Sequence, residues 1–465
     1  MRSWLPSCLL LSSVLLAGCG SGFSERGERT AGEYRWLLRY DVKTLDPAAI
    51  NDWTTGEVLH YLYPTIGEAC EIETADNVTF KLHVKEFDFS DKIGNEVTGE
   101  DIQHTIERCL IPEVQSGLGS LFAAQIAGAD SFAKGTAPHI TGITAEAHDV
   151  TIQLSKPDTA FADKLKNRAF GVVNHDVVKL NEPIKDWKPG YGLGRWSLKS
   201  FEPGREWVIA KGAETIKFQF VGDSASRKTQ FDVDKADQAM FAAHEIPVVK
   251  GHPMLTKGGP TTLVYLQFNQ KIAPFNDRAN RLAIISNLET GGLGSILDNK
   301  VDPPAGFGTL SSLGKSVTGF KATQPKPFEF ELVYADIGHS NPVVEVLITQ
   351  MRKFGIKASA KPMTSGGLIA ANNRGELACL FTGWQPDFPG PLNTVPYLFH
   401  SKSPENHSGF ADPQADKYIE LAQTGTDPEA NIARALDIIH QNIPGVPLYV
   451  QRDLVLKRRE PPEVF

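Results

Sequence analysis

Cysteine is scarce in this chain, and the spacing of the few cysteines argues against a metal site. Only five of the 465 residues are cysteine. No Cys-x-x-Cys pair is present, and no group of cysteines and histidines has the spacing of a zinc site. The sequence therefore predicts no bound metal, and nothing in it points to a cofactor.

The chain also lacks an excess of positive charge and, beyond its N-terminus, a long apolar run. The formal net charge is −8, and no basic face accumulates along the chain. We therefore expect no nucleic-acid partner, because such partners are held largely by clustered lysine and arginine. Beyond the N-terminus no apolar run reaches the ~20 residues that a membrane span needs, so we expect no integral transporter. The usual hydrolase and protease motifs, G-x-S-x-G and H-E-x-x-H, are absent too, and we expect no enzyme.

The N-terminus has the pattern of an export signal. Arg2 precedes a short apolar run, and residues 1–18 end in small residues, as a cleaved signal peptide does. Leu16-Ala17-Gly18-Cys19 resembles the bacterial lipobox, which implies lipidation of Cys19 and a membrane-anchored chain on the periplasmic or extracellular side. An ordinary signal peptide with an incidental cysteine is the alternative. Residues 19–29 are small and polar, which is typical of a flexible tether.

The remaining cysteines allow one disulfide at most. An oxidising compartment favours such a bond. Three thiols remain beyond Cys19, namely Cys70, Cys109 and Cys379. At least one of them stays unpaired, and the sequence leaves open whether the other two are joined.

Beyond the tether, the pattern indicates mixed α and β structure. Residues 328–334 alternate between apolar and polar side chains, which predicts a strand. Thr98 and Asp101 have the spacing of a capping box and open an apolar helix stripe. A second helix is predicted to open at Asn341-Pro342 and to close at Gly355.

Several segments, read in order, resemble the bacterial family 5 extracellular solute-binding proteins, the peptide- and nickel-binding components of ABC importers. The resemblance covers nearly the whole mature chain. The matching segments are Leu45-Asp46-Pro47, Thr79-Phe80-Lys81-Leu82, Val97-Thr98-Gly99-Glu100-Asp101, Tyr265-Leu266-Gln267-Phe268-Asn269 and Gly383-Trp384-Gln385-Pro386-Asp387 with Asn406, Gly409-Phe410 and Asp412-Pro413 beyond it.

This resemblance implies an α/β fold of two lobes that close on a ligand like a clamshell. Lobe I would be discontinuous and would comprise residues 30–258 and the C-terminal return at 443–465. Lobe II would span residues 259–442. An extra subdomain is expected within lobe I at about residues 64–175, as in the cluster C type. We expect a monomer that delivers a peptide or another small solute to ABC permease subunits.

The resemblance also nominates the ligand-binding residues. Peptide-binding members hold the α-ammonium of the ligand with the aspartate that Asp387 matches, and we expect this residue just beyond the end of a strand, where open α/β sheets place their ligands. Trp384 is a candidate cleft aromatic, although tryptophan more often packs in a core. Trp53 and Asn406 are weaker candidates.

Several departures from the family pattern leave the ligand open. The usual Gly-x-Gly-Pro-Tyr is Gly192-Leu193-Gly194-Arg195-Trp196 here, and Gly390 stands where a second acidic residue is usual. Peptides, nickel chelates, haem, opines and oligosaccharides are all bound within the family. The alternative function on the same fold is a sensor or envelope interaction protein without a transport role. A hydrolase on this fold has no support in the sequence.

Overall fold

A computed structural model describes residues 30–85, 96–297, 299–304, 306–307, 326–336, 341–388, 390–425 and 427–464. The predicted signal peptide (1–18), Cys19 and the rest of the tether up to residue 29 lie outside the described residues. Within the described residues, no helix combines the length and the apolar character that crossing a membrane requires.

The described residues form fifteen strands: β1 Glu33–Leu38, β2 Cys70–Thr74, β3 Thr79–Val84, β4 Ile143–Glu146, β5 Asp149–Gln153, β6 Ser197–Glu202, β7 Glu206–Lys211, β8 Glu214–Phe220, β9 Gln238–Phe241, β10 Leu255–Phe268, β11 Val301–Asp302, β12 Glu329–Ala335, β13 Lys357–Met363, β14 Cys379–Trp384 and β15 Gly445–Lys457.

The helices of the described residues are α1 Trp53–His60, α2 Ile66–Ala69, α3 Gly99–Arg108, α4 Leu118–Ala123, α5 Ala129–Ala133, α6 Phe161–Lys164, α7 Ser224–Asp232, α8 Ile246–Val249, α9 Arg278–Asn287, α10 Leu293–Ile296, α11 Pro342–Lys353, α12 Ser365–Asn373, α13 Val395–Phe399, α14 Pro413–Gln423 and α15 Pro428–Asn442. Short 3-10 turns lie at Pro47–Ala49, Pro112–Val114, Arg168–Phe170, Ala243–Glu245 and Pro391–Asn393.

The elements predicted from local patterns are confirmed. The alternating segment is β12. Thr98 and Asp101 form the predicted capping box of α3. The Thr98 backbone N–H donates to the Asp101 carboxylate at 2.8 Å, and the Asp101 backbone N–H donates to Thr98 Oγ1 at 3.3 Å. Asn341 accepts from two backbone N–H groups at the start of α11, and Gly355, with φ +80°, follows its end. Side-chain caps and a left-handed glycine therefore set these helix ends, as local chemistry predicts.

The larger sheet has the strand order β13-β12-β14-β10-β15-β9-β1-β8-β7-β6, with β11 paired to β15. The two long strands β10 and β15 run antiparallel through its middle. At one end β10 pairs with β14, and at the other end β15 pairs with β9. The sheet therefore has two halves, one with β12–β14 and one with β9, β1, β8, β7 and β6, and both halves share the central strand pair.

The strands that flank the central pair β10–β15 differ from one end of the pair to the other. β15 pairs with β10 along its whole length, through residues 445–452 beside β14 and through residues 454–456 further on; residues 454–457 also pair with β9. The C-terminal strand thus joins the strands of lobe I from Leu454 onward, later than position 443. The predicted lobe limits at 258 and 443 stay predictions.

A second sheet gives the chain a separate core. Its strands have the order β2-β3-β5-β4 and lie between residues 70 and 153, inside the range predicted for the extra subdomain. Helix α3 lies against this sheet. The core of this part of the chain contains the fully buried side chains of Phe80, Ile102 and Phe161. We call this sheet and the helices packed on it, through residue 175, the subdomain.

The motif Leu45-Asp46-Pro47 connects the subdomain to the rest of lobe I through the side chain of Asp46. The Asp46 carboxylate is 1% exposed and forms an ion pair with Arg108, at the end of α3. It also accepts hydrogen bonds from the backbone N–H groups of Ala48 at 3.1 Å and Ile184 at 2.9 Å. Because removal of one partner from a buried ion pair typically costs about 3–5 kcal/mol, this residue has a structural reason to be aspartate.

The three described cysteines are free thiols, so the disulfide that the sequence left open is absent among the described residues. Cys70, Cys109 and Cys379 are at most 2% exposed. Burial raises the pKa of the Cys70 and Cys109 thiols to about 12, and it raises that of Cys379 as well. Since the thiolate is the reactive form, these cysteines are unreactive in the folded protein.

We therefore expect maleimide to leave Cys70, Cys109 and Cys379 unlabelled in the native protein and to label all three in denaturant without reductant. Peptide mass mapping reads each site separately. The variant Leu121→Cys is the matched control, because Leu121 is 64% exposed and its replacement should label in the native state. An oxidised pair among the three, or native labelling as fast as at position 121, would contradict this expectation.

Candidate functional site

A cleft lies at the carboxyl edge of the parallel strands of both halves of the sheet. In lobe II, β12 is parallel to β13 and β14; in lobe I, β1 is parallel to β8 and β9. The cleft has a volume of about 510 Å³. Its lining combines the turn after β9, the ends of β12 and β14, the start of α11 and the central strands, and includes His244, Thr262, Asn341, Phe381, Tyr449 and Gln451. Open α/β sheets bind their ligands at this edge.

Strand β14 carries the strongest sequence motif to this edge. Gly383 pairs with Val264 of β10, and a Cβ atom at position 383 would lie 2.5 Å from the Thr262 Cγ2 atom. Glycine therefore permits the close approach of β14 to β10. The strand ends at Trp384, and Asp387 follows three residues later at the same edge of the sheet. Asp387 is not among the residues that line the cleft itself.

The Asp387 carboxyl group is half-buried and uncompensated. Within the described residues, neither of its carboxylate oxygens has a hydrogen-bond or ion-pair partner. Burial, together with the nearby charge of Glu405, raises the pKa of Asp387 from the usual 3.8 to about 6. A carboxylate in such a place is stabilised by any cation that reaches it.

Glu405 makes the surroundings of Asp387 more negative. His407 Nε2 lies 3.6 Å from the Glu405 Oε2 atom, and the proximity of this histidine lowers the pKa of Glu405. The glutamate thus stays ionised beside Asp387. No sequence pattern singled out Glu405, because its proximity to Asp387 depends on the loop after α13.

Trp384 and Tyr397 form an aromatic wall near Asp387. Their ring centroids are 5.8 Å apart with an interplanar angle of 34°. Burial and the charge of Asp387 raise the pKa of Tyr397 to about 12, so its hydroxyl stays protonated. The buried Trp384 Nε1 atom has no hydrogen-bond partner among the described residues. Trp384 also packs against the core of lobe II, as a core tryptophan does.

The side chain of Asn406 forms its hydrogen bonds within its own loop, residues 400–410. The Asn406 Nδ2 atom donates to the carbonyls of His400 at 3.2 Å and Phe410 at 2.7 Å, and the Oδ1 atom accepts from Ser408 Oγ at 2.8 Å. Both ends of the amide are therefore occupied. Because this amide already braces residues 400–410, we do not propose Asn406 as a ligand contact.

Trp53 is placed at the start of α1 and remains 37% exposed. The Asp52 carboxylate caps this helix, accepting from Thr55 N at 2.9 Å. One turn after Trp53, Glu57 lies 3.6 Å from Arg168. Asn167, which precedes Arg168, contacts the backbone of Asp387 at 3.0 Å. Trp53 therefore lies on the helix that borders the candidate site, without a described contact to Asp387.

No metal site accompanies these residues in the part of the chain that the structure describes. No three side chains of the ligating types, histidine, cysteine, aspartate and glutamate, come together there as a metal would require.

Comparison with known proteins agrees with this fold. The family model for the bacterial extracellular solute-binding proteins, family 5 (middle section), matches residues 62–286. The probable D,D-dipeptide-binding periplasmic protein DdpA of Escherichia coli is 24% identical over 446 residues, covering 83% of this chain and 82% of the relative.

Solved structures show the same fold. The unliganded open form of the murein tripeptide-binding protein MppA matches with a TM-score of 0.75 and 19% identity, over 92% of this chain and 93% of that one. A second structure of MppA, from Escherichia coli, matches with a TM-score of 0.66, 19% identity and coverage of 92% and 94%. The present structure therefore superposes better on the unliganded open form of MppA than on the second MppA structure.

The fold and the cleft define a two-lobed α/β solute-binding protein, as predicted. Its sequence and fold are similar to those of family 5 of the bacterial extracellular solute-binding proteins. These relatives are periplasmic proteins, which supports an extracytoplasmic location for the present chain.

The raised pKa of Asp387 predicts a stability cost that Asp387→Asn removes. A carboxyl group with a pKa of 3.8 in the unfolded chain and about 6 in the folded one destabilises the folded state when ionised. The cost is absent below the unfolded pKa, grows between the two values and is complete above pH 6. Allowing for solvent screening, we expect the variant to raise the free energy of unfolding by about 1 kcal/mol at pH 7.5.

Urea unfolding of protein freed from copurified ligand measures this difference at pH 7.5 and at pH 4.5. The difference should shrink at the lower pH. Asp130→Asn is the matched control, because the Asp130 side chain is 88% exposed and should show no such difference. An Asp387→Asn variant no more stable than the native protein at pH 7.5 would rule out the uncompensated carboxylate.

Proposed function

We propose that this protein captures peptides with a free N-terminal amine in the interlobe cleft and delivers them to an ABC importer. The half-buried Asp387 carboxylate carries this proposal, because it lacks a cationic partner among the described residues. A peptide α-ammonium supplies the missing charge. The resemblance of the sequence motif around Asp387 to that of peptide-binding relatives supports the same role.

The affinity has two physical sources. A charge-assisted hydrogen bond from the ammonium to Asp387 contributes about 1.5–3 kcal/mol in a site that closure makes dry. The other source is the cleft, whose lining is mostly apolar and includes exposed strand ends. Backbone hydrogen bonds from such strand ends bind a peptide without reading most of its side chains.

Binding and transport are linked by closure of the lobes. Only the closed form contacts a peptide from both sides, so a bound peptide favours it. We propose that the closed form docks on the permease subunits of the importer. The peptide leaves chemically unchanged, since we propose no enzymatic role for the protein.

We also propose that the protein acts as a monomer tethered to the membrane. Lipidation of Cys19, at the lipobox-like segment, would anchor it, and residues 19–29 would let the folded body reach its permease. The acyl chains attached to such a cysteine provide the multiple anchors that stable membrane binding needs.

A pair of peptide pools tests the proposed function. One pool contains random-sequence tri- to pentapeptides without lysine and with free N-termini, and the other contains the same sequences acetylated at the N-terminus. Retained peptides are quantified by mass spectrometry after gel filtration. We expect the native protein to retain the free pool, and Asp387→Asn to weaken this retention by more than tenfold, because it removes the charge-assisted bond.

Asp130→Asn serves again as the control and should retain the free pool as the native protein does. Equal retention of both pools by the native protein, or unchanged retention by Asp387→Asn, would refute capture through the N-terminal amine. Failure of the native protein to retain any peptide would refute the proposed peptide ligand altogether.

A further inference from the structure

The subdomain contacts the backbone of Asp387 directly. Asn167 follows α6 in the subdomain, and its Nδ2 atom donates to the Asp387 carbonyl oxygen at 3.0 Å. The two residues are 220 positions apart in sequence. This hydrogen bond therefore joins the subdomain to the segment after β14, in lobe II, that carries the candidate ligand anchor.

The orientation of the Asn167 amide is fixed by a second hydrogen bond. Its Oδ1 atom accepts from the Ala169 backbone N–H at 2.9 Å and caps the 3-10 turn Arg168–Phe170. Because the oxygen is held at the turn, the Nδ2 atom must face the Asp387 carbonyl. The side chain thus has one correct orientation, with a donor at one end and an acceptor at the other.

The next residue along the chain is held by the subdomain as well. Phe388 is 5% exposed and belongs to the hydrophobic core of the subdomain. Its ring lies 5.9 Å from that of Phe122, nearly perpendicular to it, and the Lys164 ammonium group lies 5.7 Å from the Phe388 ring centroid. The peptide unit between Asp387 and Phe388 is therefore held by the Asn167 amide at its oxygen and by the buried ring beyond its nitrogen.

We propose that Asn167 is a positioning residue for ligand binding, which holds the backbone of Asp387 so that its carboxylate is ready for the ammonium group of a peptide. The proposal rests on the function proposed above. A carboxylate fixed before binding costs less conformational entropy on binding than one that must first be ordered. The subdomain thereby contributes to affinity without touching the ligand.

The same hydrogen bond keeps the Asp387 carboxyl group half-buried. Burial is the largest cause of the raised pKa of Asp387. A segment released from Asn167 gains freedom to turn its carboxylate toward water. Loss of the Asn167 donor should therefore move the pKa of Asp387 back toward that of a solvated aspartate.

The variant Asn167→Ser separates the two hydrogen bonds of Asn167. Serine keeps an oxygen that caps the 3-10 turn but lacks the amide donor. Thr159→Val is the matched control at the same contact region. The Thr159 Oγ1 atom donates to the Ala422 carbonyl of lobe II at 3.0 Å, away from Asp387. Its replacement removes one hydrogen bond between the same two parts of the protein.

The two peptide pools measure the effect on binding. We expect Asn167→Ser to weaken retention of the free-amine pool about three- to tenfold, which is the range for one hydrogen bond. Retention of the acetylated pool should not change. In an Asp387→Asn background, Asn167→Ser should change retention less than about twofold, because no carboxylate remains to be positioned. Thr159→Val should leave retention of both pools unchanged.

A measurement without ligand completes the test. The Asp387 carboxyl titration, followed by ¹³C NMR and assigned with Asp387→Asn, should shift down by about half a pH unit or more in Asn167→Ser. An unshifted titration, an equal loss for both pools, or an undiminished effect in the Asp387→Asn background would overturn the positioning role. If Asp387→Asn alone leaves retention of the free pool unchanged, the proposed function fails instead, and the titration still decides whether Asn167 holds the carboxyl group.

Discussion

The arrangement around Asp387 depends on one physical constraint: a carboxylate is held half-buried, beside a second acid, without a cation to compensate it among the described residues. Such a group costs stability, and an isolated chain segment would relieve the cost by turning it toward water. Here the segment is held by β14 on one side and by the subdomain on the other. The fold thus maintains an uncompensated negative charge that a ligand ammonium would neutralise.

The sheet topology explains why this charge lies where two lobes meet. β10 and β15 belong to both halves of the larger sheet, so the carboxyl edges of the parallel strands in both halves open onto one cleft. Chain segments that follow these strands, including the one with Asp387, lie at the same edge. Movement about the shared strands changes the width of the cleft.

Local sequence signals predicted the parts of the fold that local chemistry decides. The capping box at Thr98 and the Asn341–Pro342 helix start are examples, because each depends on residues within one turn of each other. The position of Asp387 beyond a strand end was also predictable, from its motif. The exact point at which β15 gains β9 as a second partner was not, because residues 445–457 read as one continuous strand and only tertiary pairing marks this point.

The site was only partly predictable, because some of its contacts join residues that are far apart in the sequence. Asn167 and Asp387 meet across 220 positions, and neither carries a local signal of this contact. Asn406 shows the opposite case: its motif suggested a ligand contact, but its amide binds carbonyls only four and six residues away. The three cysteines show a similar limit, since composition permitted a disulfide and only their separate burial shows that the thiols are free.

Capture of a peptide amine by Asp387 is measured most directly by an experimental structure of the protein with a peptide from the free-amine pool bound. We predict a closed form in which the peptide ammonium nitrogen lies within hydrogen-bond distance, about 2.7–3.2 Å, of an Asp387 carboxylate oxygen. A bound peptide whose N-terminus lies away from Asp387, with the Asp387 carboxylate facing bulk water, would contradict this prediction.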